Sequence, residues 1–148
     1  KVELLDASVL ENYGELENAD IKDAVEHLET LMEKYKKTSN YYAYGYIKEI
    51  LLNNLDGARR HAEDMKDTPI GRYSLAAVDA YEGHGEQHFN TLFSKPWMVD
   101  AIKASHYYIH GDHELYATHR DLVISKSKGI QLLSNIYSYR ILEKTKYN

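Results

Sequence analysis

The sequence predicts an all-α fold of stacked antiparallel helical hairpins, about eight helices in all. Three observations predict it. Apolar residues recur at helical spacing along the chain, most clearly at Ile21, Val25, Leu28, Leu31, Met32 and Tyr35. Short clusters of Gly, Pro, Asn and Asp punctuate these stretches. Two prolines, Pro69 and Pro96, stand 27 positions apart, and each opens a stretch of the same design. No run reads as a strand. Leu122-Val123-Ile124 is bounded by helical pattern and reads as buried helix.

The elements follow in order. Residues 1–19 form an acidic N-terminal arm or short helix around Leu4, Leu5, Val9 and Leu10. Asp20 caps the first clear helix, and Lys36-Lys37 lie where a helix C-terminus prefers positive charge. Thr38-Ser39-Asn40 is a turn and a new cap. Tyr44, Ile47, Ile50 and Leu51 mark the next helix, which ends near Asn53-Asn54. Asp56 caps a short helix carrying Ala58, Ala62 and Met65. Thr68-Pro69 is a cap followed by proline at the first helical position, where its missing N–H costs nothing.

Tyr73, Ala76, Ala77, Ala80 and Tyr81 continue that helix to the Gly83-His84-Gly85 break, where both glycines supply positive φ. Phe89, Leu92 and Phe93 then predict a shorter helix. Pro96 restarts the pattern through Ala101, Ile102, Ser105 and Tyr108. Gly111-Asp112 stops it and starts another helix with Leu115, Tyr116, His119 and Leu122. Ile130, Leu133, Ile136 and Ile141 predict a last helix. The 148 residues therefore read as one domain: an arm over 1–19, hairpin repeats over 20–122 and a C-terminal capping helix over 123–148.

Composition narrows the chemistry. The absence of cysteine removes disulfides, thiolate metal sites and a cysteine nucleophile, and suits a reducing, cytoplasmic setting. No apolar run approaches the roughly 20 residues of a membrane span, and no signal-peptide pattern opens the chain. Phosphate-binding glycine loops and nucleophile elbows are missing, so no cofactor is expected. The net charge of −5 is uneven. Residues 1–33 carry ten acids against Lys1 and Lys22, and the last helix region is basic. An acidic field disfavours direct nucleic-acid contact and favours a basic protein partner, with Glu26, Glu29 and Glu33 as its face.

The stretch from Tyr42 to Asp67 shares the outline of those that begin at the two prolines. A hairpin alone exposes an apolar face, and stacking the next hairpin covers it. Asp56-Gly57-Ala58 through Ala62, Met65 and Pro69 resembles the second helix of the tetratricopeptide family, and His110-Gly111-Asp112-His113-Glu114 resembles its interhelix turn. The likeness covers about residues 40–122. The spacing near 27 departs from that family's roughly 34, and its first-helix signature is missing; Gly45 and Tyr46 match it only loosely. In size, acidity and its Gly111-Asp112 turn the chain also resembles the all-helical immunity proteins of bacterial polymorphic toxin systems. That resemblance implies a protein that binds a cognate toxin domain, often a basic nuclease, and covers its active site. A peptide-sensing regulator fragment is a sibling reading, since helical repeats also line peptide grooves.

Two residue types carry the candidate sites. Tyrosine supplies 14 residues against two Phe and one Trp. The Tyr41–Tyr46 stretch places rings on several helix faces, so not all can be core. A tyrosine ring with a polar tip serves interfaces, and Tyr41, Tyr42, Tyr46, Tyr81, Tyr107 and Tyr108 are the candidates, for a partner or for a second copy of the chain. Histidine occurs eight times. His106 and His110 share a helix face, His113 follows in the turn, and His119 lies on the next helix. These four define the alternative reading, a His-based metal-binding protein or metal-dependent enzyme. Against it, Gly111 breaks the helix between His110 and His113, and no His-Glu-x-x-His motif is present.

Overall fold

A computed structural model describes residues 21–126, and among these every regular element is helical. Six α-helices follow in chain order: α1 (Ile21–Lys34), α2 (Ser39–Leu51), α3 (Leu55–Asp64), α4 (Pro69–Tyr81), α5 (Trp97–Ile109) and α6 (His113–Lys126). A single 3₁₀ turn, Gly85–His88, lies between α4 and α5. The predicted arm over 1–19 and the predicted final helix around Ile130–Ile141 lie outside the described residues, as does Asp20 with its capping role. Helix α6 runs through position 122 to Lys126 without a break.

Helices α3, α4 and α6 begin behind a side-chain cap. Thr68 accepts a hydrogen bond from the Gly71 amide at 3.0 Å, and Pro69 takes the first helical position. Helix α3 is capped by Asn54, whose side chain accepts from Gly57 at 3.1 Å, and not by Asp56 as the sequence predicts. Asp56 lies inside the first turn, where its negative charge still suits the helix dipole. Asp112 opens α6 by accepting from the Leu115 amide at 3.1 Å.

Helices α2, α4 and α5 are each 13 residues long and end alike. The residues after their C-caps, Asn53, Gly83 and Gly111, have φ of 56°, 87° and 77°. In each case the next amide reaches back five residues: Asn54 to Glu49 at 2.8 Å, His84 to Asp79 at 2.8 Å, Asp112 to Tyr107 at 2.9 Å. This is the Schellman closure, and left-handed backbone costs glycine nothing and asparagine little. The starts of α2, α4 and α5 step by 30 and then 28 residues; the second step exceeds the proline spacing by one because Pro69 is the first residue of α4 whereas Pro96 precedes α5.

One predicted element is absent. Phe89, Leu92 and Phe93 do not form a helix; the chain from 89 to 96 is irregular. Asn90, Thr91 and Ser94 compete for the backbone in non-helical forms, and Leu92 is almost fully exposed. Gly85 does not use positive φ. It is buried, with the β-carbons of Ala80 and His106 beside it.

Each helix packs chiefly against its neighbours in the chain. Alanines on α2, α3 and α4 (Ala43, Ala58, Ala62, Ala76, Ala77) let those helices approach closely around Tyr46 and Met65. A second cluster joins Trp97 and Met98 of α5 to Tyr116 and Val123 of α6. Ile70, Tyr73, Tyr81 and Phe93 border both clusters and tie them together.

Candidate functional site

Helix α1 sorts its residues by face. Leu28, Leu31 and Met32 are buried, while Glu26, Glu29 and Glu33 are exposed and recur at three- and four-residue steps. The acidic face is therefore a single row. Glu29 lies 3.8 Å from Lys48 of α2, and Glu33 lies 3.6 Å from Lys36. Both pairs are largely in solvent on the glutamate side, so they soften the negative field without cancelling it.

The six candidate tyrosines divide. Tyr41 and Tyr42 are half-buried at the start of α2, edge to face at 5.3 Å, with the His61 ring of α3 at 6.0 and 6.5 Å. Tyr107 stacks on His119 at 5.5 Å, and Tyr108 meets Tyr116 at 4.8 Å; both are half-buried. Tyr46 is different: it is 7% exposed and belongs to the core, not to the surface the sequence assigns it. Burial, with Tyr81 and Tyr73 nearby, raises its pKa far above that of a free phenol. Tyr81 is half-buried between the two clusters, where burial pushes its pKa up to about 12 against a hydrogen bond with Ser105. Side-chain direction within one helix separates Tyr46 from Tyr41 and Tyr42, and ring counting does not reveal it.

The four candidate histidines take three separate settings. His106 and His110 are neighbours, with ring centroids 4.3 Å apart. His113 lies against Tyr108 at 6.1 Å, and His119 turns to Asp100. Among the described residues, no group of three or more His, Asp or Glu side chains is placed to hold a metal ion. His106 is also chemically committed. Its Nδ1 accepts from the Gly85 amide at 3.2 Å, so the neutral ring carries its proton on Nε2, which faces Glu86 at 3.6 Å. No lone pair is left on either nitrogen for a metal. The four positions are thus not a ligand set.

What the histidines and acids do build is a pair of ionic staples. Asp79 of α4 accepts from His88 at 2.7 Å and from Arg59 of α3 at 2.8 Å, and Arg59 also pairs with Glu82. Asp100 of α5, 3% exposed, accepts from His119 at 3.0 Å and from Lys126 at 2.5 Å, both on α6. Burial opposes ionisation of each aspartate. The hydrogen bonds outweigh it, those from His88 and Arg59 for Asp79 and those from Lys126 and His119 for Asp100, so both pKa values lie below the ordinary 3.8. A carboxylate-oriented imidazole can serve as a general base. Among the described residues, however, neither His88 nor His119 hydrogen-bonds to a hydroxyl it could activate. Both staples join residues nine to 26 positions apart, across neighbouring elements. Arg59 has Glu63 and Asp64 nearby in the chain, so no local pattern reveals that it reaches Asp79.

No family model matches the chain, and no curated protein or solved structure matches it. Among the described residues, no helix is long and apolar enough to cross a membrane.

Proposed function

We propose that the protein is a non-enzymatic binding module built from stacked helical hairpins, and most concretely an immunity protein that neutralises a basic toxin domain. The observation that carries this reading is the acidic row on α1. Glu26, Glu29 and Glu33 stand on one exposed face backed by a buried apolar face, so the negative field is presented from a fixed support. Tyr41 and Tyr42 supply half-exposed rings on the next helix. Exposed carboxylates and half-exposed aromatic rings suit a partner with basic side chains, through ion pairs, cation–π contacts and steering. The recurring 13-residue helices with matching ends support the hairpin-stack architecture.

The test is co-expression with a basic toxin domain drawn from the genes flanking this chain's own. Growth should be rescued, and Glu26→Lys/Glu29→Lys/Glu33→Lys should abolish the rescue while the protein remains folded. Lack of rescue together with lack of a complex on size exclusion removes the immunity reading. Rescue that survives the triple reversal removes α1 as the docking face.

A further inference from the structure

The turn between α4 and α5 is tied to α5 by two imidazoles on either side of His84. His110 donates from Nε2 to the Gly83 carbonyl at 3.0 Å, and the Gly85 amide donates to Nδ1 of His106 at 3.2 Å. The two bonds differ in kind. His110 is a donor and keeps its bond when it gains a proton on Nδ1. His106 is an acceptor, and a proton on Nδ1 would set one N–H against another in a buried site.

We propose that the turn between α4 and α5 is an acid-released latch at Gly85, seated on α5 while His106 is neutral and freed there when His106 takes up a proton. Gly85 is buried, with the β-carbons of His106 and Ala80 beside it, so its amide sits close against α5 where that bond is made.

The surroundings of His106 reinforce the direction. From α5 it faces His110 at 4.3 Å and Tyr107 at 5.6 Å; from the turn it faces His84 and Glu86, and Phe89 packs on its ring at 5.2 Å beneath Lys103. Burial disfavours its charged form first, and His110 and His84 add to that; Glu86 alone attracts the proton. Glu86 is 77% exposed, so water and salt screen its pull. At the far end of the turn, His88 bonds to Asp79 at 2.7 Å. The latch therefore opens at Gly85 and stays held on either side, at Gly83 by His110 and at His88 by Asp79.

Hydrogen exchange on the intact chain between pH 7.5 and 5 tests this. The protection factor of the Gly85 amide should fall by up to about tenfold per pH unit below about 6.5, while Ala58 and Ala62 in α3 keep theirs. His106→Asn retains an acceptor that does not titrate, and Gly85 protection should then be flat with pH. Constant Gly85 protection in the wild type overturns the proposal. So does equal loss at Ala58 and Ala62, which marks global unfolding, or wild-type pH dependence in His106→Asn. Should that variant fail to fold, nitrogen chemical shifts of His106 in the wild type decide: Nδ1 must be unprotonated at pH 7.5 and gain its proton as Gly85 loses protection. A proton on Nδ1 at pH 7.5 overturns the proposal.

Discussion

The carbonyl oxygen of Met65 fills the space beside Gly71 where any other residue would carry its β-carbon; the two atoms would stand 1.7 Å apart. Met65 O is also bound by the Thr68 amide at 3.0 Å and the Thr68 hydroxyl at 2.7 Å. The turn from α3 into α4 is thus closed over a glycine near the start of the helix.

Gly71→Ala is expected to destabilise the protein. In an open helix the change would add about 1 kcal/mol of stability. Here a backbone atom must move, at a cost of about 3 kcal/mol. Urea denaturation should show a clearly lower midpoint with an unchanged slope; an equal or higher midpoint would contradict the close approach.

Thr68→Ala and Thr38→Ala should differ. Thr68 accepts from the Gly71 amide, whereas Thr38 makes no side-chain capping bond and only donates to the Tyr35 carbonyl at 2.9 Å. Loss of the Thr68 cap should cost about 1 kcal/mol, and the Thr38 change less than half of that. Equal losses in thermal or urea unfolding would refute the distinction.

The Asp100 staple should show coupling. Asp100→Ala removes the shared partner of His119 and Lys126, both of which keep some access to water. The expected cost is about 2 kcal/mol. In a double-mutant cycle with Lys126→Ala, an interaction energy of at least about 0.5 kcal/mol is expected. Additive losses would show that the contact contributes nothing.

Stability should fall with acid in two ranges. Burial lowers the pKa of both His61 and His106 below the ordinary 6.5. The unfolded chain then binds more protons than the folded one as pH drops below 6.5, so stability is full above that value and declines beneath it. Asp79 and Asp100 have folded values below 3.8, so their contribution is present above 3.8 and is lost as pH falls through the lower folded values. Urea midpoints measured from pH 8 to pH 2 should show both declines. A midpoint that rises between pH 7 and 5 would reverse the sign assigned to the histidines.

Reversing Glu26, Glu29 and Glu33 together should leave folding nearly intact. Each is exposed, and the Glu29–Lys48 and Glu33–Lys36 pairs lie at the surface. Losses within about 1 kcal/mol are expected. A far larger drop in the unfolding midpoint would mean that the row is structural.

The sequence exposes the features whose causes are local. Thr68-Pro69, Gly83 and Gly111-Asp112 mark helix ends because their side chains or their missing β-carbons act on adjacent backbone. The buried side of α1 follows from spacing alone. Asn54 illustrates a near miss: two good capping residues stand two positions apart, and the Schellman closure at Asn53 decides between them. The false helix at Phe89–Phe93 shows that apolar spacing over one turn does not secure a helix among turn-forming neighbours. Tyr46 and the staples at Asp79 and Asp100 depend on which faces of successive helices meet, and that is set by their packing, not by spacing within one helix. The candidate surface was legible in its charge and its tyrosines, but not in which rings face outward.

The neighbour-to-neighbour packing of the helices bears on how the molecule assembles. When most partners in space are also partners in sequence, little chain entropy is lost in bringing them together before contacts compensate. Refolding from denaturant should accordingly be quick, on the order of milliseconds or less. Damage at one end should also travel poorly to the other: a lesion in α6 should leave the amides of α2 and α3 protected for longer than those of α5.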